Sequence, residues 1–253
     1  MDLKLEGKKA IVTGGTRGIG RAIAEALAAE GCHVAICARH REQIDEAVKA
    51  LGKMGAKAWG SPVDVADSAA LRRWVADAAA ALGGLDIFVA NVSALAVTAD
   101  EASWRKSFEI DVMGTVVGVE AALPLLEKSA AGSVVVIGSV AAVEVSGPTR
   151  PYNAVKAALV PYIKSLAQNY AKKKVRVNMV SPGTIYFKGG VWHQREQQMP
   201  DFFKAALARN PLGRMGTPEE VADAVVFLAS PRASFITGSN LIIDGALTQR
   251  VPF

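Results

Sequence analysis

Cysteine is almost absent from this sequence. The two that occur, Cys32 and Cys37, stand five positions apart around one short apolar run. That spacing within an extended segment suits neither a disulfide framework nor a zinc knuckle, so inert thiols in a cytoplasmic protein are expected. Histidine is equally scarce, with three residues and no metal-ligating companions, and no metal site is expected. Long apolar runs are missing too. Apolar runs such as Ser133 to Ile137 have strand length, far below the ~20 residues that cross a bilayer. Residues 1–7 alternate charged and apolar side chains where a secretory signal would run apolar behind a basic flank, so no membrane association is expected. No Pro-, Gly- or Ser-rich stretch and no charge block divides the chain into unlike halves. Its 253 residues, 51% of them hydrophobic, therefore read as one domain, 1–253, around a large core.

Acidic residues fall short of basic ones, leaving a net charge of +5. The basic residues are scattered, and their one run, Lys172 to Lys174, sits where a helix should end and cations meet the negative end of its dipole. No motif of a nucleic-acid reader accompanies the charge, so no nucleic-acid partner is expected.

What is present is alternation. Short β-branched runs at Lys9–Thr13, His33–Ala38, Ala56–Gly60, Asp86–Ala90, Ser133–Gly138, Val175–Val180 and Asn240–Ile243 read as strands. Between them lie segments with apolar residues at i, i+4 spacing, such as Ile19, Ile23, Leu27 and Val155, Leu159, Ile163. The pattern predicts an α/β fold: a single doubly wound Rossmann-type domain, a seven-stranded parallel sheet with helices on both faces. The strands are nearly continuously apolar, as burial on both faces requires. Two helices, Trp104 to Leu126 and Tyr152 to Tyr170, are apolar on more than one face, which predicts a homo-oligomer. Pro161 inside the second predicts a kink.

The first strand runs into Thr13-Gly14-Gly15-Thr16-Arg17-Gly18-Ile19-Gly20 and then a helix. Glycines permit a tight turn and let backbone amides approach a diphosphate, which sits at the positive end of the helix dipole. The spacing is T-G-x-x-x-G-x-G instead of the more common G-x-G-x-x-G. Sites that choose NAD usually place an acid at the end of the second strand, to bond the ribose 2′-hydroxyl. Here that strand ends Cys37-Ala38-Arg39, and Arg39 with Arg17 offers guanidinium forks suited to a 2′-phosphate, so NADP(H) is expected in preference to NAD(H).

The fifth strand leads to Ser139, and the following helix carries Tyr152 and Lys156 at i, i+4 spacing on one face. Ligands of parallel sheets bind beyond the carboxyl ends of the strands, which delivers Ser139 to the cofactor's crevice. Hydride transfer to a carbonyl leaves an alkoxide that must be protonated. A free phenol, with a pKa near 10, is a sluggish partner near neutral pH unless a cation favours the phenolate. Tyr152 is then acid in reduction and base in oxidation, Lys156 its cation, and Ser139 the hydrogen-bond partner of the substrate oxygen.

These motifs together resemble the short-chain dehydrogenase/reductase family, most closely its bacterial 3-oxoacyl-carrier-protein-reductase-like members. The resemblance covers essentially the whole chain: Thr13 to Gly20, Asp64-Val65, Asn91, Ser139, Tyr152-Asn153-Ala154-Val155-Lys156, Asn178, Pro182-Gly183, Pro211 to Arg214, Thr237-Gly238 and Asp244-Gly245. It implies an NADP-dependent enzyme acting on CH–OH and C=O groups of a small molecule, and a tetramer. It implies a cofactor bound by Gly14, Thr16, Arg17, Gly18, Ile19 and Gly20, with Asp64 and Val65 at the adenine, Asn91 along the cofactor, Tyr152 also a cofactor contact, Lys156 also on the nicotinamide ribose, and Pro182, Gly183 and Ile185 framing the nicotinamide. It further implies a substrate lid at about 184–210.

The departures concern the same site. Asp111 stands where the family usually has asparagine, in Asp111-Val112-Met113-Gly114. Two readings are open: Asp111 pairs with Lys156 and counteracts its effect on Tyr152, displacing the working pH to the alkaline side, or it substitutes for asparagine as a plain acceptor. The family's N-N-A-G is here Ala90-Asn91-Val92-Ser93, and Phe187 replaces a threonine. Both changes touch the cofactor pocket. The lid holds Tyr186, Phe187, Trp192, His193 and Phe202 beside Lys188 and Arg195. These aromatics either favour an apolar or ring-bearing carbonyl substrate or pack among themselves or at a subunit contact. A carbonyl/alcohol oxidoreductase is the leading function; the alternative is a catalytically weak dinucleotide-binding regulatory protein of the same fold.

Overall fold

The computed structural model describes residues 1–96, 98–145 and 150–250. In chain order the elements are β1 (Lys9–Thr13), α1 (Gly18–Ala29), β2 (His33–Ala38), α2 (Arg41–Lys53), β3 (Ala58–Pro62), α3 (Ser68–Leu82), β4 (Ile87–Ala90) and α4 (Glu101–Ser107). A π-helical turn (Phe108–Met113) leads directly into α5 (Gly114–Leu126), followed by β5 (Gly132–Ile137), α6 (Pro151–Tyr170), β6 (Val175–Pro182), α7 (Val191–Gln198), α8 (Pro200–Ala208), α9 (Pro218–Ala229) and β7 (Asn240–Ile243).

The seven strands form one parallel sheet in the order β3-β2-β1-β4-β5-β6-β7. Because successive strand residues point to opposite faces, each strand feeds two cores. Ile11, Ala35, Phe88, Val134, Val136 and Val177 pack under α3, α5 and α6, while Ala10, Val12, Val34, Ile36, Val89 and Val135 pack under α1 and α9. Burial on both faces accounts for strands without polar alternation.

The strand order reverses between β1 and β4, and this switch point places the ends of β1, β4 and β5 side by side. The predicted strand at 56–60 begins two residues later than the periodicity suggests, at Ala58, and β5 stops at Ile137, two residues short of Ser139. The region 104–126 is not one α-helix. It contains the π-helical turn, whose extra residue re-phases the side chains that follow. At Pro161 the α-helix runs unbroken from Pro151 to Tyr170, and Pro124 is likewise accommodated within α5.

Candidate active site

The turn after β1 is held from two sides. The Asn91 backbone amide donates to Thr13 Oγ1 at 3.0 Å, and Asn91 Nδ2 donates to the carbonyls of Thr13 (3.1 Å) and Gly14 (3.3 Å). Asn91, just past β4, thus splints the glycine turn. Gly20 is required there, since a Cβ on it would fall 2.2 Å from the Gly14 carbonyl oxygen. The α1 helix starts at Gly18 and has no side-chain cap, so the amides of its first turn remain for a ligand. Thr16 is part-exposed, with its hydroxyl 3.5 Å from Gln43 Oε1. Arg17 and Arg39 are exposed, Arg17 as the residue before α1 and Arg39 just after β2. Ile19 packs against the core under α1. The donor set of this turn fits a dinucleotide diphosphate: uncapped helix amides and glycine backbone.

Beside it, Asp64 is exposed and accepts from the Ala66 amide at 3.0 Å, while Val65 is buried against Gly114. Just past β6, the Gly183 amide donates to the Ile243 carbonyl at 2.8 Å, and Asp244 leaves no space for a Cβ on Gly183. Ile185 is buried and bridges to Gly216, and the Tyr186 and Gly216 amides close the same neck. The segment between, carrying α7 and α8, is therefore tied at both ends. Its aromatics pack on one another. Trp192 stacks on Phe202 at 6.1 Å with Arg195 over both rings, and Tyr186 meets Phe203 and His193 edge-on while donating to Glu196. Burial, then the like charge of Arg150, lowers the Arg195 pKa below its ordinary value.

Lys156 is buried inside this arrangement. Its Nζ donates to the Ile137 carbonyl at 3.1 Å, lies 3.2 Å from Asp111 Oδ1, and stands 5.9 Å from the centre of the Tyr152 ring. The helical i, i+4 spacing thus does bring phenol and ammonium together. Asp111 is fully buried in the π-helical turn; its Oδ2 accepts from the Ala94 amide at 2.9 Å, and its Oδ1 meets the ammonium off the hydrogen-bond direction. The geometry holds a feature of each reading for Asp111: a direct ion pair with Lys156 and an acceptor bond from Ala94. Ser139 is buried and its Oγ accepts from the Ala141 amide at 3.1 Å, which leaves its hydrogen to donate. Asn153 Nδ2 donates to the Ala141 carbonyl at 3.0 Å, fixing the start of α6 against the turn that holds Ser139.

Sequence reasoning missed three participants: the Ile137 carbonyl, the Ala94 amide and the π-helical turn, since backbone groups carry no residue signature. It also missed that the Phe187 ring lies on Gly18, close enough that a Cβ there would fall 2.5 Å from it. Cys32 and Cys37 are free and buried, and burial pushes each thiol up to about 12. Among the described residues no cluster of His, Cys, Asp or Glu is arranged to hold a metal, and no helix is long and apolar enough to cross a membrane.

A family model described as enoyl-(acyl carrier protein) reductase matches residues 14–248. Isoepoxydon dehydrogenase patN of Aspergillus clavatus is 39% identical over 247 residues, covering 96% of this chain and 95% of that protein. Dehydrogenase/reductase SDR family member 4 of Oryctolagus cuniculus is 36% identical over 254 residues, covering 98% and 96%. Among solved structures, L-sorbose reductase from Gluconobacter frateurii, complexed with NADPH and L-sorbose, has a TM-score of 0.91 at 31% identity, covering 99% and 100% of the two chains. A 7α-hydroxysteroid dehydrogenase complexed with NADH and 7-oxo glycochenodeoxycholic acid has a TM-score of 0.91 at 28% identity, covering 99% and 98%.

Proposed function

The chain belongs to the short-chain dehydrogenase/reductase family of oxidoreductases, and on that premise we propose that it interconverts a carbonyl and a secondary alcohol with NADP(H). The observation that carries the reading is the buried Lys156 ammonium 5.9 Å from the Tyr152 ring, at the carboxyl end of β5 and across the switch point from the glycine turn. When bound, the dinucleotide supplies or accepts the hydride.

The protein's part is proton transfer and positioning. Tyr152 gives its phenolic proton to the substrate oxygen in reduction and takes it back in oxidation. Lys156, held by Ile137 and Asp111, presents positive charge to the phenol and binds the nicotinamide ribose. Ser139 donates to the substrate oxygen where charge develops. Asp111 offsets part of the ammonium's charge and fixes its position. Gly14, Thr16, Arg17, Gly18, Ile19 and Gly20 would hold the diphosphate end of the cofactor, Asp64 and Val65 the adenine, Asn91 the flank, and Pro182, Gly183 and Ile185 the nicotinamide. Arg39 with Arg17 favours the 2′-phosphate.

The segment 184–210 serves as substrate lid. Two outward apolar surfaces, Trp104, Phe108 and Met113 on the α4–α5 rod and Phe235 with Leu241 at the sheet edge, support a homotetramer. Consumption of NADPH with a panel of ketones, thioesters and sugars tests the activity. No turnover of any carbonyl by wild type, or turnover undiminished in Tyr152→Phe, contradicts it.

A further inference from the structure

Phe187 is wedged between two backbones. A Cβ on Gly18 would fall 2.5 Å from its Cζ, and one on Gly190 would fall 2.8 Å from its Cε1 and Cζ, so glycine on both sides admits the ring. Gly18 is the first residue of α1, and no side chain caps that helix. The amides of its first turn have no partner within the helix, and an aromatic ring offers them only a weak π acceptor. The oxygens of a diphosphate do.

On the other side, Phe187 leads into the lid through a tight turn. The Gly190 amide donates to the Phe187 carbonyl at 3.0 Å, Gly189 between them has φ +80°, and Gly190 is the extended residue from which α7 starts. A change at the ring is therefore passed within three residues to the helix that carries Trp192 and Arg195.

We propose that Phe187 is the gate residue of the cofactor site: its ring occupies the face of Gly18 that a diphosphate at the start of α1 requires, so binding of the dinucleotide displaces the ring and shifts α7. The proposal rests on the reading of Thr13–Gly20 as a dinucleotide turn. It makes the closed ring a competitor built into the chain, and apparent affinity is reduced by the fraction of molecules in which it is displaced. It also couples cofactor loading to the position of the substrate lid, because the two share one side chain.

The test is a direct binding measurement on the intact protein, without turnover. NADPH fluorescence gives Kd for wild type, Phe187→Ala and Phe187→Leu, with circular dichroism to verify folding. With the ring in place in about nine molecules of ten, Phe187→Ala binds about tenfold more tightly, and Leu falls between. Limited trypsin cleavage after Lys188 and Arg195 reads the lid: NADPH changes the cleavage rate of wild type, and Phe187→Ala shows the changed rate without NADPH. Equal or weaker binding in both folded variants, or a cleavage pattern indifferent to NADPH and to the substitution, overturns the gate. If wild type and both variants bind no dinucleotide, the reading of the turn falls and the gate with it. If all bind equally, the gate alone falls.

Discussion

Asp111 Oδ1 lies 3.2 Å from Lys156 Nζ, and the two side chains are 0% and 3% exposed. Removing two charges from water costs several kcal/mol each, and their attraction roughly offsets this, so such a pair adds little net stability. Breaking it is another matter. Asp111→Ala leaves a buried ammonium with only the Ile137 carbonyl, and a loss of about 3–5 kcal/mol is expected. Denaturant unfolding measures it, and a loss under 1 kcal/mol would contradict the pairing.

Asp111→Asn keeps an acceptor oxygen and removes the negative charge. The amide oxygen still meets the buried ammonium, so Asp111→Asn is expected to lose less stability than Asp111→Ala and more than a surface substitution. Denaturant unfolding of both variants checks the order, and an Asn variant as destabilised as Ala would contradict it.

Tyr152→Phe removes the proton donor without disturbing the helix face. A fall of about 10²–10⁴ in kcat is expected, with a far smaller change in cofactor Kd, since general acid–base catalysis contributes a factor of that size. Single-turnover kinetics beside a cofactor titration separate the two quantities.

Arg39 stands exposed just after β2. Arg39→Asp replaces a charge-assisted donor with an acid suited to a 2′-hydroxyl. The ratio of kcat/KM for NADP to that for NAD is expected to drop by at least about tenfold. Equal use of both cofactors by wild type, unaltered in the variant, would remove Arg39 from the site.

Glu220 accepts both guanidinium nitrogens of Arg214 and the Thr217 amide that starts α9, and these bonds lower its pKa from 4.5 to about 2. A carboxylate depressed in the folded state stabilises above its unfolded pKa, and the contribution is lost as pH falls through the folded value. Glu220→Gln is therefore expected to have a lower Tm than wild type at pH 7, by a small margin for an exposed pair. The gap should close between about pH 5 and pH 2. A gap that widens on acidification would reverse the sign of this argument.

The strands were readable because both-face burial leaves apolar runs of strand length between glycine-rich turns, and all seven occur within about two residues of the periodicity. The tyrosine–lysine spacing was readable because a helix turn is a fixed geometry. The π-helical turn was not. Phe108-Glu109-Ile110-Asp111-Val112-Met113 carries no local signal for one extra residue per turn, and it is the tertiary fit of Asp111 between Ala94 and Lys156 that goes with it.

Residue order alone determined the sheet, the glycine turn at the start of α1 and the placing of Tyr152 and Lys156 on one helix face, because each follows from contacts between near neighbours or from a repeat. Tertiary structure decided what those groups touch: Lys156 against Asp111 and Ile137, Asn91 against Thr13 and Gly14, Phe187 against Gly18. These partners lie from 19 to well over a hundred positions apart, and their meeting is set by the strand order, which brings the ends of β1, β4 and β5 to one edge. No local propensity encodes a distance across that edge.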